Sequence, residues 1–276
     1  MSENKQTERL TKQQLKTRGV IGIFNNEAKA HDSAVGKAAA LALQMLSEEF
    51  PQLIFRHRPS VTKKEINEAL QRIDADLGQT IFLPHSCIKP DGGIVEVRDD
   101  SGNWRPILIS EAKHQGKDIQ NIEKGIKVGK KKDKDLMVAG NAIERAHKNI
   151  SEIANFMLSE TYFPYVVFLE GTNFLTEDVV VRRPNGECFT IKYDAGTLNR
   201  LDRITAANYG MAVNKNLCLN KFVQHKEHCI MLQAASIFTQ GNGASWNVSD
   251  MAEIMLDIAR TSLRSLSSDL FGQLTK

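Results

Sequence analysis

The sequence predicts an α/β fold with a central mixed β-sheet flanked by helices. Two apolar runs on either side of the polar residues 99–103 predict an antiparallel hairpin, because that polar composition is typical of a turn. Residues 165–169 form a short apolar run, which is typical of a strand buried on both faces in a parallel sheet. Apolar residues at helical spacing predict helices around these strands, over residues 31–50, 65–73, 143–158 and 251–266.

The composition is that of a soluble globular protein. Of the 276 residues, 41% are hydrophobic and 25% are charged, which allows an ample core. No run of about eighteen apolar residues is present, which excludes a membrane-spanning helix. The net charge of +3 fits a nucleic-acid-binding protein and also many other proteins. Because neither a repeat nor a low-complexity linker divides the chain, we predict a single domain over residues 1–276.

The cysteines and the N-terminus indicate the cellular compartment. Cys87, Cys188, Cys218 and Cys229 lack the spacing of a disulfide framework or of a paired metal site. We therefore expect free thiols in a reducing cytoplasm. Residues 1–18 are polar throughout, so no signal peptide is expected.

The first predicted elements are an N-terminal arm and two helices. Residues 1–17 are polar and partly basic with little to bury, which predicts a flexible arm. One helix should run from His31 to Phe50, and the next should begin at Glu65. The basic cluster between them is either a solvated face or a phosphate-binding surface. Its members are Arg56, His57, Arg58, Lys63 and Lys64.

The predicted hairpin brings two carboxylates together at its open end. If the two residues that flank the turn pair with each other, regular pairing places Asp91 opposite Glu111 on one face. Lys113 lies two residues beyond Glu111 and returns to the same face. Pro106 has no N–H to donate to the ladder, so a bulge there would shift this pairing by one residue.

Two facing carboxylates indicate either a retained proton or a bound cation. At an effective dielectric near 20, their repulsion is about 3–4 kcal/mol. One carboxyl group keeps a proton, or a hard divalent cation such as Mg²⁺ lies between the two. A lysine beside the cation can position or deprotonate a water molecule, and these parts suit phosphodiester hydrolysis. Alone, however, the spacing is weakly specific, because a turn and a solvated strand end would show it too.

The same residues carry a family resemblance. Pro90-Asp91 followed by Glu111-Ala112-Lys113 resembles the signature of the PD-(D/E)xK metal-dependent nucleases. Longer runs in the same order resemble the EcoRI-type type II restriction endonucleases over nearly the whole chain. These runs are residues 19–24, 88–97, 111–118, 139–145 and 198–203.

The resemblance implies a fold, a reaction and partners. It implies a restriction endonuclease-like sheet with projecting arms that wrap double-stranded DNA, and Mg²⁺ as the cofactor. A homodimer would read a palindrome, because each subunit presents one recognition element and one metal site. The implied sequence is GAATTC, cut after G on each strand to leave 5′ phosphates and 5′ overhangs. A cognate DNA methyltransferase would protect host sites in the bacterial cytoplasm.

The resemblance also assigns roles to individual residues. Asp91, Glu111 and Lys113 are expected to be catalytic, and Asp91, Glu111 and the Ala112 carbonyl are expected to bind the metal. The expected recognition residues are Met137, Val138, Gly140, Asn141, Ala142, Glu144 and Arg145. Val138 replaces an alanine of the family pattern, which leaves its contact open. Further DNA contacts are expected from Arg200, Arg203, Lys89, Lys117, Lys130 and Lys148.

Several of these residues also have purely structural interpretations. Asn141 fits a helix N-cap with Glu144 as its capping-box partner, although asparagine also suits bidentate contact with adenine. Arg200 and Arg203 could form an ion-paired helix face with Asp202. The lysine-rich residues 117–134 are typical of a solvated loop, and DNA contact is the alternative.

The remaining elements are a hairpin, a strand and a helix. Residues 179–193 turn at Pro184-Asn185-Gly186 and predict a hairpin that is either a second DNA-wrapping projection or part of the sheet. Residues 230–237 predict one further strand, and residues 251–266 predict a closing amphipathic helix.

The resemblance therefore predicts a homodimeric type II restriction endonuclease. Two alternatives stay open at this point. A repair or nicking nuclease would share the metal site without reading a palindrome. A non-catalytic DNA-binding protein would give no cleavage with any divalent metal.

Overall fold

A mixed five-stranded sheet lies at the centre of the protein. The computed structural model describes residues 26–126, 140–193, 220–225, 228–233 and 235–274. Antiparallel pairing joins the first three strands of the sheet, and parallel pairing joins the third to the fourth and the fourth to the fifth. The predicted α/β class with a mixed sheet is confirmed. The sheet order is β1 (Phe55–Arg58), β4 (Gly93–Arg98), β5 (Trp104–His114), β6 (Tyr165–Glu170) and β11 (Ser236–Thr239).

The other strands of the described residues form two-stranded ladders beside this sheet. They are β2 (Val61–Thr62) with β3 (Cys87–Ile88), β7 (Val179–Arg182) with β8 (Cys188–Ile191), and β9 (Asn220–His225) with β10 (His228–Gln233). A 3₁₀ turn covers Thr172–Phe174. The helices are α1 (Asn26–Glu49), α2 (Lys63–Gln71), α3 (Asp118–Glu123), α4 (Gly140–Phe156), α5 (Val248–Ser265) and α6 (Phe271–Leu274).

Two pairs of helices flank the sheet. Helices α1 and α5 pack on each other and both contact β5, while α2 packs on α4, which also contacts β5. The predicted apolar face of α5 is buried, including Met255, Ala259 and Leu263. One large apolar cluster therefore joins the sheet to both pairs of helices.

Helix α2 begins two residues before the predicted start at Glu65. Thr62 is its N-cap: the Thr62 side chain accepts a hydrogen bond from the Glu65 N–H, and the Glu65 carboxylate accepts one from the Thr62 N–H. This reciprocal pair is a capping box, which fixes the helix start. The Thr-x-x-Glu spacing was therefore the sequence signal for the true boundary.

The hairpin of β4 and β5 contains a bulge beside Pro106. At the turn end, Arg98 pairs with Trp104 as predicted. The register then shifts between Val95 and Glu96. Pro106 cannot donate a ladder hydrogen bond, so an interruption at this point has a direct physical cause.

The bulge corrects the predicted facing pair. Beyond it, Gly93 pairs with Ser110, so Asp91 does not lie directly opposite Glu111, and that register prediction is wrong. Continuing the shifted register places position 91 opposite Ala112 instead. The Ala112 N–H indeed donates to Asp91 Oδ2 at 3.0 Å, so a side chain takes the position of a ladder acceptor.

The hairpin predicted over residues 179–193 is confirmed and lies outside the central sheet. Strands β7 and β8 pair antiparallel, and the Gly186 N–H closes the turn on the Arg183 carbonyl at 2.9 Å. Their buried side chains pack with α3 in a small separate apolar cluster. That cluster contains Ile122, Leu175, Val181 and Ile191.

The single strand predicted over residues 230–237 is wrong. Strand β10 ends at Gln233 and pairs with β9, whereas β11 begins at Ser236 and joins the central sheet beside β6. A continuous apolar run indicates burial, but it carries no signal for a change from one sheet to another.

No helix within the described ranges is long and apolar enough to span a bilayer.

Candidate active site

Two glycines allow the chain to turn sharply after Asp91. Gly93 has a φ of 74°, and a Cβ there would lie 2.4 Å from His57 Nε2. A Cβ on Gly92 would lie 2.1 Å from Ser110 Oγ. Only glycine adopts this backbone without strain and tolerates such close neighbours. The turn brings the Asp91 carboxylate beside the end of β5.

Lys113 contacts the other residues that are expected to bind the metal. Its Nζ donates to Asp91 Oδ2 at 3.2 Å, to the Ala112 carbonyl at 2.7 Å, and to Glu111 Oε1. Glu111 and Lys113 are two residues apart on β5 and so share one face of the strand. The structure thus brings Asp91, Glu111, Ala112 and Lys113 together, although through the shifted register.

The three oxygens around Lys113 fit a hard divalent cation. The ammonium group stands in for a cation, because it is held by two carboxylates and one carbonyl. Mg²⁺ takes one or two carboxylates and leaves its other positions to water and phosphate oxygens. Among the described residues, no group of three or more His, Cys, Asp or Glu side chains could hold a metal ion. Two carboxylates and one carbonyl are within the number of protein oxygens that Mg²⁺ accepts.

The charges of this cluster compensate one another. Glu111 is only 1% exposed, and burial raises its pKa; the Lys113 ammonium acts to lower it, and the Asp91 charge adds to the rise. Burial alone would lower the pKa of Lys113, but the charges of Glu111 and Asp91 outweigh burial and raise it. The predicted repulsion between two carboxylates is thus offset by the chain's own cation.

Two further donors hold the Glu111 carboxylate, and neither role was predicted from the sequence. Asn149 Nδ2 on α4 donates to Oε1 at 3.0 Å, and the Tyr165 hydroxyl on β6 donates to Oε2 at 3.2 Å. Burial raises the pKa of Tyr165 well above its usual value, and the charge of Glu111 adds to this effect. These contacts join residues 38 and 54 positions apart, and no local pattern in the sequence marks them.

A second buried charged group lies at the same end of β5 and β6. Glu170 accepts hydrogen bonds from the Trp246 N–H at 3.1 Å and from Ser245 Oγ at 3.2 Å. His31 Nδ1 lies 3.1 Å from Glu170 Oε2, and His114 Nε2 lies 3.8 Å from Oε1. Burial raises the pKa of Glu170, but the hydrogen bond with His31 and the charges nearby outweigh burial and lower it. This group fixes the strand end immediately after Lys113.

A third carboxylate stands near the cluster. Asp32 lies on α1, next to His31, and desolvation raises its pKa. The charge of Asp91 raises it further. Helix α1 therefore contributes to the acidic field around Asp91.

Most of the basic cluster over residues 56–64 is paired within the chain. Arg56 Nε lies 2.6 Å from Glu96 Oε2, and Arg58 pairs with Glu65. Lys63 pairs with Glu152 of α4. These ion pairs give the cluster a structural use that neither sequence interpretation had identified.

The expected phosphate contacts differ in their surroundings. Lys89 and Lys148 are exposed. Lys117 Nζ lies 2.6 Å from Glu27 Oε2 of α1, so a contact with DNA would have to exchange one anion for another. Lys130 lies outside the described residues.

The predicted recognition segment leads into α4. The helix begins at Gly140, so Asn141 lies inside its first turn and does not cap it. Ala142, Glu144 and Arg145 follow in the same helix. Met137, Val138, Arg200, Arg203 and the arm over residues 1–17 lie outside the described residues.

The sheet and the cluster define a class of protein. A mixed sheet that carries Pro90-Asp91 beside Glu111-Ala112-Lys113 is the arrangement of the metal-dependent PD-(D/E)xK nucleases. Comparison with known proteins narrows the class. Residues 17–273 match the family model described as restriction endonuclease EcoRI, and the chain belongs to this family.

Two curated relatives align with almost the whole chain. The type II restriction enzyme EcoRI of Escherichia coli is 64% identical over 275 residues, which cover 100% of this chain and 99% of that protein. The type II restriction enzyme RsrI of Cereibacter sphaeroides is 48% identical over 252 residues, covering 91% and 90%. The predicted activity is thereby confirmed: the chain is a type II site-specific deoxyribonuclease, a class that generally depends on a metal ion.

Proposed function

We propose that this restriction endonuclease recognises GAATTC, cuts after the G of each strand and uses Mg²⁺ at the cluster around Lys113. The observation that carries the proposal is the convergence of Asp91, Glu111 and the Ala112 carbonyl on one ammonium group. The identity of 64% to EcoRI of Escherichia coli supports the same recognition sequence.

The cluster contains the groups that hydrolysis of a phosphodiester requires. Asp91, Glu111 and the Ala112 carbonyl would hold Mg²⁺, which supplies Lewis-acid activation of water and charge neutralisation when bound. Lys113 positions the attacking water and neutralises charge on the phosphate. The water oxygen forms a bond to phosphorus and releases a proton to solvent, the bond from phosphorus to the 3′ oxygen breaks, and that oxygen takes up a proton from solvent. The product keeps a 5′ phosphate.

Recognition is proposed for the segment that leads into α4. Met137, Val138, Gly140, Asn141, Ala142, Glu144 and Arg145 would face the base edges, together with Arg200. Asparagine matches the paired acceptor and donor of adenine, and arginine matches purine acceptors. Arg203, Lys89, Lys117, Lys130 and Lys148 would contact phosphates, which fix position without reading sequence.

A homodimer is the assembly that fits this reaction. A two-fold protein presents two equivalent sites to the two half-sites of a palindrome. The 5′ overhangs follow from cutting each strand after its own G. In the bacterial cytoplasm a cognate DNA methyltransferase would protect the same sequence on host DNA.

Digestion of DNA of known sequence in Mg²⁺ tests the proposal. Ends mapped after the G of GAATTC on both strands are expected, whereas uniform nicking would favour a repair nuclease.

Asp91→Ala and Glu111→Ala should each keep specific DNA binding and lose cleavage, because each removes a carboxylate from the donor set. Glu253→Ala, which removes an exposed carboxylate on α5, is the matched control and should cut normally. Undiminished hydrolysis by either site variant would overturn the assignment.

A further inference from the structure

We propose that Asn149 is a positioning residue through which helix α4 orients the Glu111 carboxylate. The inference rests on the proposed function of the cluster around Lys113. Its basis is the hydrogen bond of 3.0 Å from Asn149 Nδ2 to Glu111 Oε1, which joins α4 to the end of β5.

The Glu111 carboxylate depends on such donors for its orientation. It is 1% exposed, so bulk water cannot supply the hydrogen bonds that a buried charge needs. The terminal torsion of a glutamate is broad, so the carboxylate plane is set by its partners. Lys113 is one partner, but its Nζ is shared with Asp91 and the Ala112 carbonyl. The neutral donors Asn149 and Tyr165 hold one carboxylate oxygen each.

These two neutral donors come from different parts of the fold. Tyr165 belongs to β6, which pairs with β5 in the same sheet. Asn149 belongs to α4, whose first turns contain five of the predicted recognition residues, from Gly140 to Arg145. Asn141 and Arg145 precede Asn149 at intervals of four residues, the spacing that an α-helix repeats along one stripe. Asn149 is therefore the donor that connects the helix of the predicted recognition residues with the Glu111 carboxylate.

Helix α4 is well suited to transmit a displacement. Ala146, Ile150 and Ile153 are buried and fix its rotation against the core. Asn149 lies about 13 Å along the axis from Gly140, at a rise of 1.5 Å per residue. A shift at the recognition end therefore reaches Glu111 through one rigid element. Misplacement of a catalytic group by about 1 Å can slow a reaction about a hundredfold.

The test compares Asn149→Ala, Asn149→Asp and Asn155→Ala in the full-length protein. Asn155 lies on the same helix and is exposed, so its variant is the matched control. Single-turnover cleavage of a duplex containing GAATTC is measured in Mg²⁺, and binding of the same duplex is measured without divalent metal. Urea unfolding of each variant checks the fold.

We expect Asn149→Ala to cleave about tenfold to a hundredfold more slowly, as for loss of a hydrogen bond to a charged group, with unchanged DNA binding. Asn149→Asp should be slower still, because an isosteric carboxylate repels Glu111. A packing role predicts the reverse order, since Asp preserves the shape of Asn better than Ala does. Asn155→Ala should match the wild type.

Three results would overturn the inference while leaving the proposed function intact. They are a wild-type cleavage rate in Asn149→Ala, a loss confined to DNA binding, and an Asp variant faster than the Ala variant. If the Ala variant does not fold, the isosteric Asp variant alone decides between a normal and a reduced rate. Absence of cleavage by the wild type would instead refute the proposed function, and the inference with it.

Discussion

Glu111 is a buried carboxylate with a donor on each oxygen. Lys113 and Asn149 donate to Oε1, and Tyr165 donates to Oε2. A buried charge is tolerated when its hydrogen bonds are satisfied, and loss of one partner leaves the full desolvation penalty. The Glu111 carboxylate therefore needs hydrogen-bond donors both from the neighbouring strand β6 and from helix α4.

The Tyr165 hydroxyl gives a direct prediction at this scale. Tyr165→Phe should lower the free energy of unfolding by about 1–3 kcal/mol, because it leaves a buried carboxylate oxygen without its donor. It should also slow cleavage, since the orientation of Glu111 becomes less defined. Urea unfolding and single-turnover cleavage measure the two effects.

Tyr162→Phe is the control for that variant. Tyr162 is equally buried, but its hydroxyl donates to the Pro106 carbonyl at 2.8 Å, away from the cluster. It should lose some stability and keep the normal cleavage rate. Equal cleavage by both variants would show that the hydroxyl of Tyr165 has no role in the site.

At the residue scale, the sequence predicted that the site side chains lie close together, but it did not predict the register that brings them there. Asp91, Glu111 and Lys113 converge because a short turn and the alternation of a strand bring them together. Asn149 and Tyr165 could not be predicted, because their contacts exist only after α4 and β6 pack beside β5. Tertiary contacts of this kind leave no periodic signal in the chain.

At the scale of elements, the β4–β5 hairpin is held at its turn by Asp99. The Asn103 N–H donates to Asp99 Oδ1 at 2.7 Å, and Arg105 donates to Oδ2 at 3.2 Å. Burial raises the pKa of Asp99, but these hydrogen bonds outweigh burial and lower it below the ordinary value of 3.8. The turn that the sequence predicted is therefore also an electrostatic anchor.

Asp99→Asn should destabilise the protein in a pH-dependent way. A carboxyl whose pKa is lowered on folding contributes stability above its unfolded pKa and loses it as the pH falls through the folded pKa. The variant should therefore be less stable than the wild type at neutral pH, by about 1.5–3 kcal/mol. The difference should shrink once the pH falls below about 3.8. Urea unfolding across the acid range measures it, and a constant difference at all pH values would contradict the prediction.

Element boundaries show what the sequence could and could not specify. The Thr62-x-x-Glu65 capping box marks the start of α2, so that boundary was available from local chemistry. The bulge beside Pro106 was a recognised possibility, but its direction depends on how β4 and β5 satisfy their hydrogen bonds together. The division of residues 230–237 between two sheets depends on partners distant in sequence.

At the scale of the whole molecule, Arg105 ties distant segments to the hairpin. Its guanidinium donates to Glu160 at 2.5 and 2.9 Å, to Asp269 at 2.9 Å and to Asp99 at 3.2 Å. These partners follow α4, follow α5 and begin the hairpin turn. One side chain on β5 thereby links three regions of the chain.

Arg105→Leu should lower the free energy of unfolding by about 1.5–3 kcal/mol, since it leaves the buried Asp99 and the largely buried Glu160 carboxylates without their charged hydrogen-bond donor. Urea unfolding measures the loss. Arg260→Leu is the control, because Arg260 also donates to a carboxylate, that of Glu49, through two nitrogens, but at the surface. A surface pair contributes about 0–1 kcal/mol. Equal losses in the two variants would refute the partly buried network around Arg105 as a source of stability.

The contacts of Lys113 also bear on when the enzyme can bind a divalent cation. Without DNA, the lysine ammonium serves as an internal counter-ion that neutralises the Asp91 and Glu111 carboxylates. A phosphodiester that drew the lysine onto itself would expose those oxygens at the same moment. The carboxylates would then need a divalent ion only when DNA is bound. Metal-dependent cleavage would therefore depend on the presence of the substrate.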